Sequence, residues 1–183
     1  MTQRLFVAIL LSPEQLAVLG QYSNSYQQKN IAWTKTENLH LTVHFLGEVE
    51  TAKIDSLLAD LEIVARQVEP FVLDFNQVIF GPPERIPKMI WAVFHGHNEF
   101  QKLATLIYRE TKKHLFDVQE PKFLPHVTLA RFKGFIDVSR LELKPVAINN
   151  LTVNSFVLMA SELTPSGPIY TPVKSFNLCG KLT

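Results

Sequence analysis

Each half of this 183-residue chain carries the same succession of apolar strand, capped helix and His-x-Thr strand. The run Leu5-Phe-Val-Ala-Ile9 resembles Ile90-Trp-Ala-Val-Phe94, 85 positions further on, and His40-Leu-Thr-Val43 resembles His126-Val-Thr-Leu129, 86 positions further on. Two element types recurring in one order at nearly one offset predict a duplication. The expected fold class is α+β: two similar lobes, each an antiparallel sheet with flanking helices, related by a pseudo-two-fold axis around a central cleft. Residues 1–183 read as one domain with approximate repeat halves 1–82 and 88–183, the terminal strands being free to cross between lobes. A chain of this length buries enough core to need no metal or disulfide support.

Local signals place the helices. Ser12-Pro13-Glu14-Gln15 has the residues of a capping box with proline in the first turn. After Thr51, the residues Ile54, Leu57, Leu58, Leu61, Val64 and Ala65 recur at helical spacing. A third helix is expected from near Asn98, with Phe100, Leu103 and Ile107 facing inward. Strand-like runs occupy 39–46, 71–80, 89–94, 126–132, 151–160 and 170–178. The segment from Gly81 to Pro87 breaks regular structure between the halves.

Eighteen basic and seventeen acidic residues leave a formal charge of +1, which argues against a DNA-coating role and leaves room for a small anion pocket. Arg4 and the seven-residue run Leu5–Leu11 outline a signal peptide. The run is far short of the roughly 18 residues a span needs, however, and no small-x-small cleavage site follows it. A buried strand in a cytoplasmic, non-membrane protein fits better. The single cysteine, Cys179, excludes an intrachain disulfide and reads as a small core residue.

Side chains alternate across a strand, so His40 and Thr42 share one face and Leu41, Val43 and Phe45 the other, as do His126 and Thr128 against Val127 and Leu129. Two polar faces meeting across a cleft would bring together two imidazoles and two hydroxyls. One imidazole can take a proton from water while the other gives one to a departing alkoxide, both near pH 7. The threonines can donate to the non-bridging phosphate oxygens. Neither motif contains Asp, Glu or Cys, and threonine is a poor zinc ligand, so neither metal nor cofactor is expected.

The segments 38–49 and 125–132 resemble the two signature segments of the two-histidine phosphoesterases, and within them the bacterial and archaeal RNA 2′,3′-cyclic phosphodiesterase family, also called LigT-like or 2′-5′ RNA ligase. Arg4–Ala8, Ile90–Val93 and 161–167 with Tyr170 extend the resemblance over nearly the whole chain. It implies metal-independent opening of a terminal 2′,3′-cyclic phosphate on RNA to a 2′-phosphate. It also implies His40 as proton donor and His126 as proton acceptor; the near-symmetric motifs do not themselves assign these directions. The partners implied are RNA 3′ ends or a small nucleotide carrying a 2′,3′-cyclic phosphate, bound by a monomer. Alternatives are a 2′-5′ RNA ligase, a small cyclic-nucleotide phosphodiesterase, or a non-catalytic RNA-end binding module.

Around the motifs, His44 shares the strand parity of His40 and Thr42. It reads as a solvated strand-end residue, or else as a substrate contact at the cleft mouth. Arg131 has the opposite parity to His126, so it either forms a surface ion pair or is turned toward phosphate by a bulge. Phe123, Tyr170 and Trp33 are candidates to stack on a base. His95-Gly96-His97 has metal-like spacing, but His97 stands where Ser12 stands in the first half, which favours capping or exposure.

Overall fold

The computed structural model describes residues 1–26, 30–83, 86–115, 120, 123–165 and 167–180. The first half runs β1 (Thr2–Leu10), α1 (Pro13–Tyr22), β2 (Ile31–Trp33), β3 (His40–Glu50), α2 (Ile54–Gln67), β4 (Phe71–Leu73) and β5 (Phe75–Gly81). The second runs β6 (Met89–Phe94), α3 (Asn98–Thr111), β7 (His126–Phe132), β8 (Leu151–Val153), β9 (Ser155–Thr164) and β10 (Gly167–Asn177).

Each helix forms where its sequence places it. Ser12 accepts from the Gln15 N–H while the Gln15 side chain accepts from the Ser12 N–H, closing the capping box of α1. Leu57, Leu61, Val64 and Ala65 make the buried stripe of α2. His97 Nδ1 accepts from the Glu99 N–H and so caps α3, which buries Phe100, Leu103, Ala104 and Ile107. Strand β2 escapes the sequence signal because three residues are too short to show alternation.

All strand pairs are antiparallel, in the order β10-β9-β1-β3-β7-β6-β5 with β2 beside β7, and β4 and β8 form a separate two-stranded sheet. The two sheets expected from the repeat meet at a single residue pair, Leu41 with Val127. Past that pair β2 takes over as the partner of β7, from Trp33–Ala130 to Ile31–Phe132.

The core lies on one side of this sheet. Leu5, Val7, Ile9, Leu41 and Val127 pack there against the three helices. Each such fully buried side chain contributes about 1.5–3 kcal/mol. The other side is open and carries a small apolar cluster of Phe6, Ala8, Val157 and Met159, with Tyr170 against it. The chemistry-bearing residues stand on this open face.

Candidate active site

Two matched β-bulges decide which side chains reach the open face. Along β3 the partners in β1 run Leu10–His40, Ile9–Leu41 and Ala8–Thr42, then Val7–His44, so Val43 is the extra residue. Along β7 the partners in β6 run Val93–His126, Ala92–Val127 and Trp91–Thr128, then Ile90–Ala130, so Leu129 is the extra residue. Val43 and Leu129 are equivalent under the 86-residue offset. Thr34 clamps the second bulge, its N–H donating to the Leu129 carbonyl at 2.8 Å and its hydroxyl to the Thr128 carbonyl at 2.9 Å. Each bulge reverses the alternation that follows it.

Three residues therefore point where strict alternation does not put them. His44 is neither solvated nor at the cleft mouth. It is turned into the core, 4% exposed, with its ring edge-on to Tyr108 of α3 and its Nε2 unpartnered among the described residues. Burial lowers its pKa to about 4. Phe45 is correspondingly turned out of the core, 62% exposed and 6.0 Å from the Phe6 ring. Arg131, the counterpart of Phe45, joins the face of His126 and Thr128. There its Nη1 contacts Met89 Sδ at 3.1 Å and its charge acts on both His40 and Tyr170.

The two histidines are held alike. His40 Nδ1 lies 2.7 Å from the Asn38 carbonyl and His126 Nδ1 lies 2.8 Å from the Leu124 carbonyl, in each case two residues upstream. A carbonyl only accepts, so both Nδ1 atoms carry the proton and Nε2 is the basic nitrogen of each neutral ring. In the neutral form the Thr42 hydroxyl donates to His40 Nε2 across 3.0 Å. Antiparallel pairing of Leu41 with Val127 brings the two motifs side by side, and the His126 charge acts on His40.

Each imidazole also rests on an aromatic ring from the first strand of a half. Phe6 lies 4.9 Å from His40, and Trp91, its equivalent at the 85-residue offset, stacks 3.9 Å from His126. A Cβ at Gly81 would run into the Trp91 ring, so that glycine makes room for the support. Tyr170 meets both His40, at 5.2 Å and edge-on, and Phe6, at 5.0 Å. Burial lowers the pKa of His40; the Asn38 carbonyl opposes this, while the positive charges of Arg131 and His126 add to it. Burial raises the pKa of Tyr170, against the pull of Arg131 and Arg4.

The remaining candidates lie elsewhere. Trp33 packs on Tyr22 and Tyr26 against the helix-side core rather than on the open face. Phe123 is exposed just upstream of the Leu124 carbonyl that holds His126. His97 stacks on Phe71 as it caps α3. Cys179 is exposed rather than a core residue, because past the end of β10 it is Leu178 that turns into the core. Among the described residues no group of three His, Cys, Asp or Glu side chains could hold a metal ion, and no helix is long and apolar enough to cross a membrane. Sequence reasoning missed Phe6, Trp91 and Phe45. The first two were legible in the 85-residue offset, whereas the third depended on the bulge.

Two imidazoles with fixed tautomers, flanked by two hydroxyls and a guanidinium, have the makings of an acid–base pair around an anion. The sequence pattern of the family described as LigT like Phosphoesterase matches residues 10–91. An RNA 2′,3′-cyclic phosphodiesterase of Aquifex aeolicus is 30% identical over 154 residues, covering 81% of this chain and 82% of the relative. One of Thermotoga maritima is 30% identical over 177 residues, covering 91% of each. The crystal structure of TT0787 of Thermus thermophilus superposes with a TM-score of 0.84 at 28% identity, covering 98% of this chain and all of that one. Apo LigT of E. coli shares the fold, with a TM-score of 0.80 at 24% identity and coverage of 97% and 98%. The chain belongs to the LigT-like phosphoesterase family, among the relatives of the RNA 2′,3′-cyclic phosphodiesterases.

Proposed function

We propose that this protein is an RNA 2′,3′-cyclic phosphodiesterase that opens the terminal ring to a 2′-phosphate without a metal. The observation that carries the reading is the matched pair of Nδ1–H···O=C bonds, which leaves Nε2 as the working nitrogen of both histidines. Water attacks phosphorus and gives its proton to His126 Nε2. The P–O3′ bond breaks, and His40 Nε2 delivers a proton to O3′. Thr42 and Thr128 donate to the non-bridging oxygens and Arg131 balances their growing charge.

Assigning the acid role to His40 is supported by its surroundings. In-line attack puts the water opposite the leaving O3′, so the ribose and base lie on the side of the acid, and the apolar rings of Phe6, Phe45 and Tyr170 lie on the His40 side. In the free protein burial and nearby positive charges favour neutral His40, and the anionic cyclic phosphate reverses that bias on binding.

We also infer that residues 1–183 form one duplicated domain with halves 1–82 and 88–183 about a pseudo-two-fold axis near Leu41 and Val127. Support comes from reciprocity: these equivalent residues pair with each other, β4 pairs with β8, β5 pairs with β6, and β9 pairs with β1. Placement in the cytoplasm is consistent with a single cysteine.

The test is a chelator-treated assay on a short RNA ending in a 2′,3′-cyclic phosphate. Wild type is expected to yield a 2′-phosphate, with losses of about 10²–10⁴-fold in His40→Ala and His126→Ala. Tight binding of the end without turnover would favour a binding module, and undiminished turnover in either variant would refute the mechanism.

A further inference from the structure

Strands β1 and β9 pair only between Leu5–Ala160 and Ala8–Val157. Toward the start of β1 and the end of β9 they separate, because β9 stays paired with β10 and β1 with β3. The two ribbons leave an open cavity of about 690 Å³, lined by Gln3, Arg4 and Glu48 on one side and Ser161, Glu162 and Thr171 on the other. Across this gap neither Thr2–Arg4 nor Ser161–Leu163 has a partner strand, so backbone donors and acceptors face the opening.

The cavity continues the active face. Arg4 stands two residues along β1 from Phe6, on the same face, roughly 6.6 Å by strand rise. Phe6 in turn touches both His40 and Tyr170. The charges of Arg4 and Arg131 both act on the Tyr170 hydroxyl, so Tyr170 lies within reach of both. The Arg4 side chain makes no hydrogen bond or ion pair with the described residues, which leaves its guanidinium available to an anion.

We propose that this cavity receives the nucleotide immediately 5′ of the one bearing the cyclic phosphate, with Arg4 holding the phosphodiester between the two. The inference rests on the function proposed above and selects its substrate class: the end of an RNA chain in preference to a free cyclic mononucleotide. Among the described residues Arg4 is the one cationic side chain of the lining, which also holds Glu48 and Glu162. Their carboxylates suit base amino groups and ribose hydroxyls, and the single guanidinium is spent on one phosphodiester, so recognition stops after one link.

The test compares kcat/KM for a 2′,3′-cyclic mononucleotide, a dinucleotide with the same cyclic end, and a trinucleotide. Wild type is expected to prefer the dinucleotide over the mononucleotide by about tenfold or more, the scale of one charge-assisted phosphate contact, with no further gain for the trinucleotide. Arg4→Gln and, independently, Ser161→Trp, which puts a large ring on the lining beside Tyr170, are expected to bring that ratio toward one, with thermal melting showing that each variant is folded. A wild-type ratio near one, or a ratio preserved in both variants, would overturn the proposal while leaving the cyclic phosphodiesterase reading intact. Failure of wild type to hydrolyse any of the three would overturn that reading and the proposal with it.

Discussion

Turning His44 into the core should add a pH dependence to the stability of this protein that one substitution can remove. His44 is 4% exposed, lies against Tyr108, and has an Nε2 without a partner among the described residues. Burial lowers its pKa from an ordinary 6.5 to about 4. The unfolded chain therefore binds this proton more tightly than the folded one. Its contribution is intact above about pH 6.5 and is lost as pH falls toward about 4. That gap corresponds to about 3 kcal/mol. Urea unfolding of wild type and His44→Leu at pH 7.5, 6, 5 and 4 separates this effect from carboxylate titration, which both proteins share. At pH 7.5 the two should agree within about 1 kcal/mol, since lost packing is offset by removal of an unpaired buried nitrogen. At pH 4 the variant should be more stable than wild type by about 3 kcal/mol relative to that baseline. Parallel stability curves for the two proteins would refute the reasoning.

Phe45→Ala should raise KM for a cyclic-phosphate RNA end by roughly tenfold or more with a smaller change in kcat, as expected for one stacked base worth about 1–3 kcal/mol; steady-state kinetics on one oligonucleotide reads this directly. Arg131→Ala should move the alkaline limb of the kcat/KM profile to higher pH, because Arg131 lowers the pKa of His40 and the proposed acid must be protonated. An unchanged alkaline limb would show that His40 does not set it.

Much of the fold was legible because its determinants are local. The capping box at Ser12 and Gln15, the buried stripe of α2 and the histidine cap of α3 each need only a few neighbouring residues, and the structure forms all three. The duplicated His-x-Thr segments likewise placed His40, Thr42, His126 and Thr128 on one face each. Alternation holds over the first few residues of either strand, before any bulge intervenes.

What followed those residues was decided elsewhere. Whether Val43 and Leu129 are paired or extra depends on how β1 and β6 run past them, and no local pattern records that pairing. One extra residue on each strand buries His44, exposes Phe45 and brings Arg131 to the open face, reversing the outcome strict alternation gives for all three. The exchange of β5 and β9 between the halves, and the gap beside Arg4, are also products of long-range pairing. The sequence by itself determined which chemical groups this protein has and where its helices begin. Tertiary structure decided which way the residues beyond each motif face, because a strand's register belongs to two strands at once and is written in neither alone.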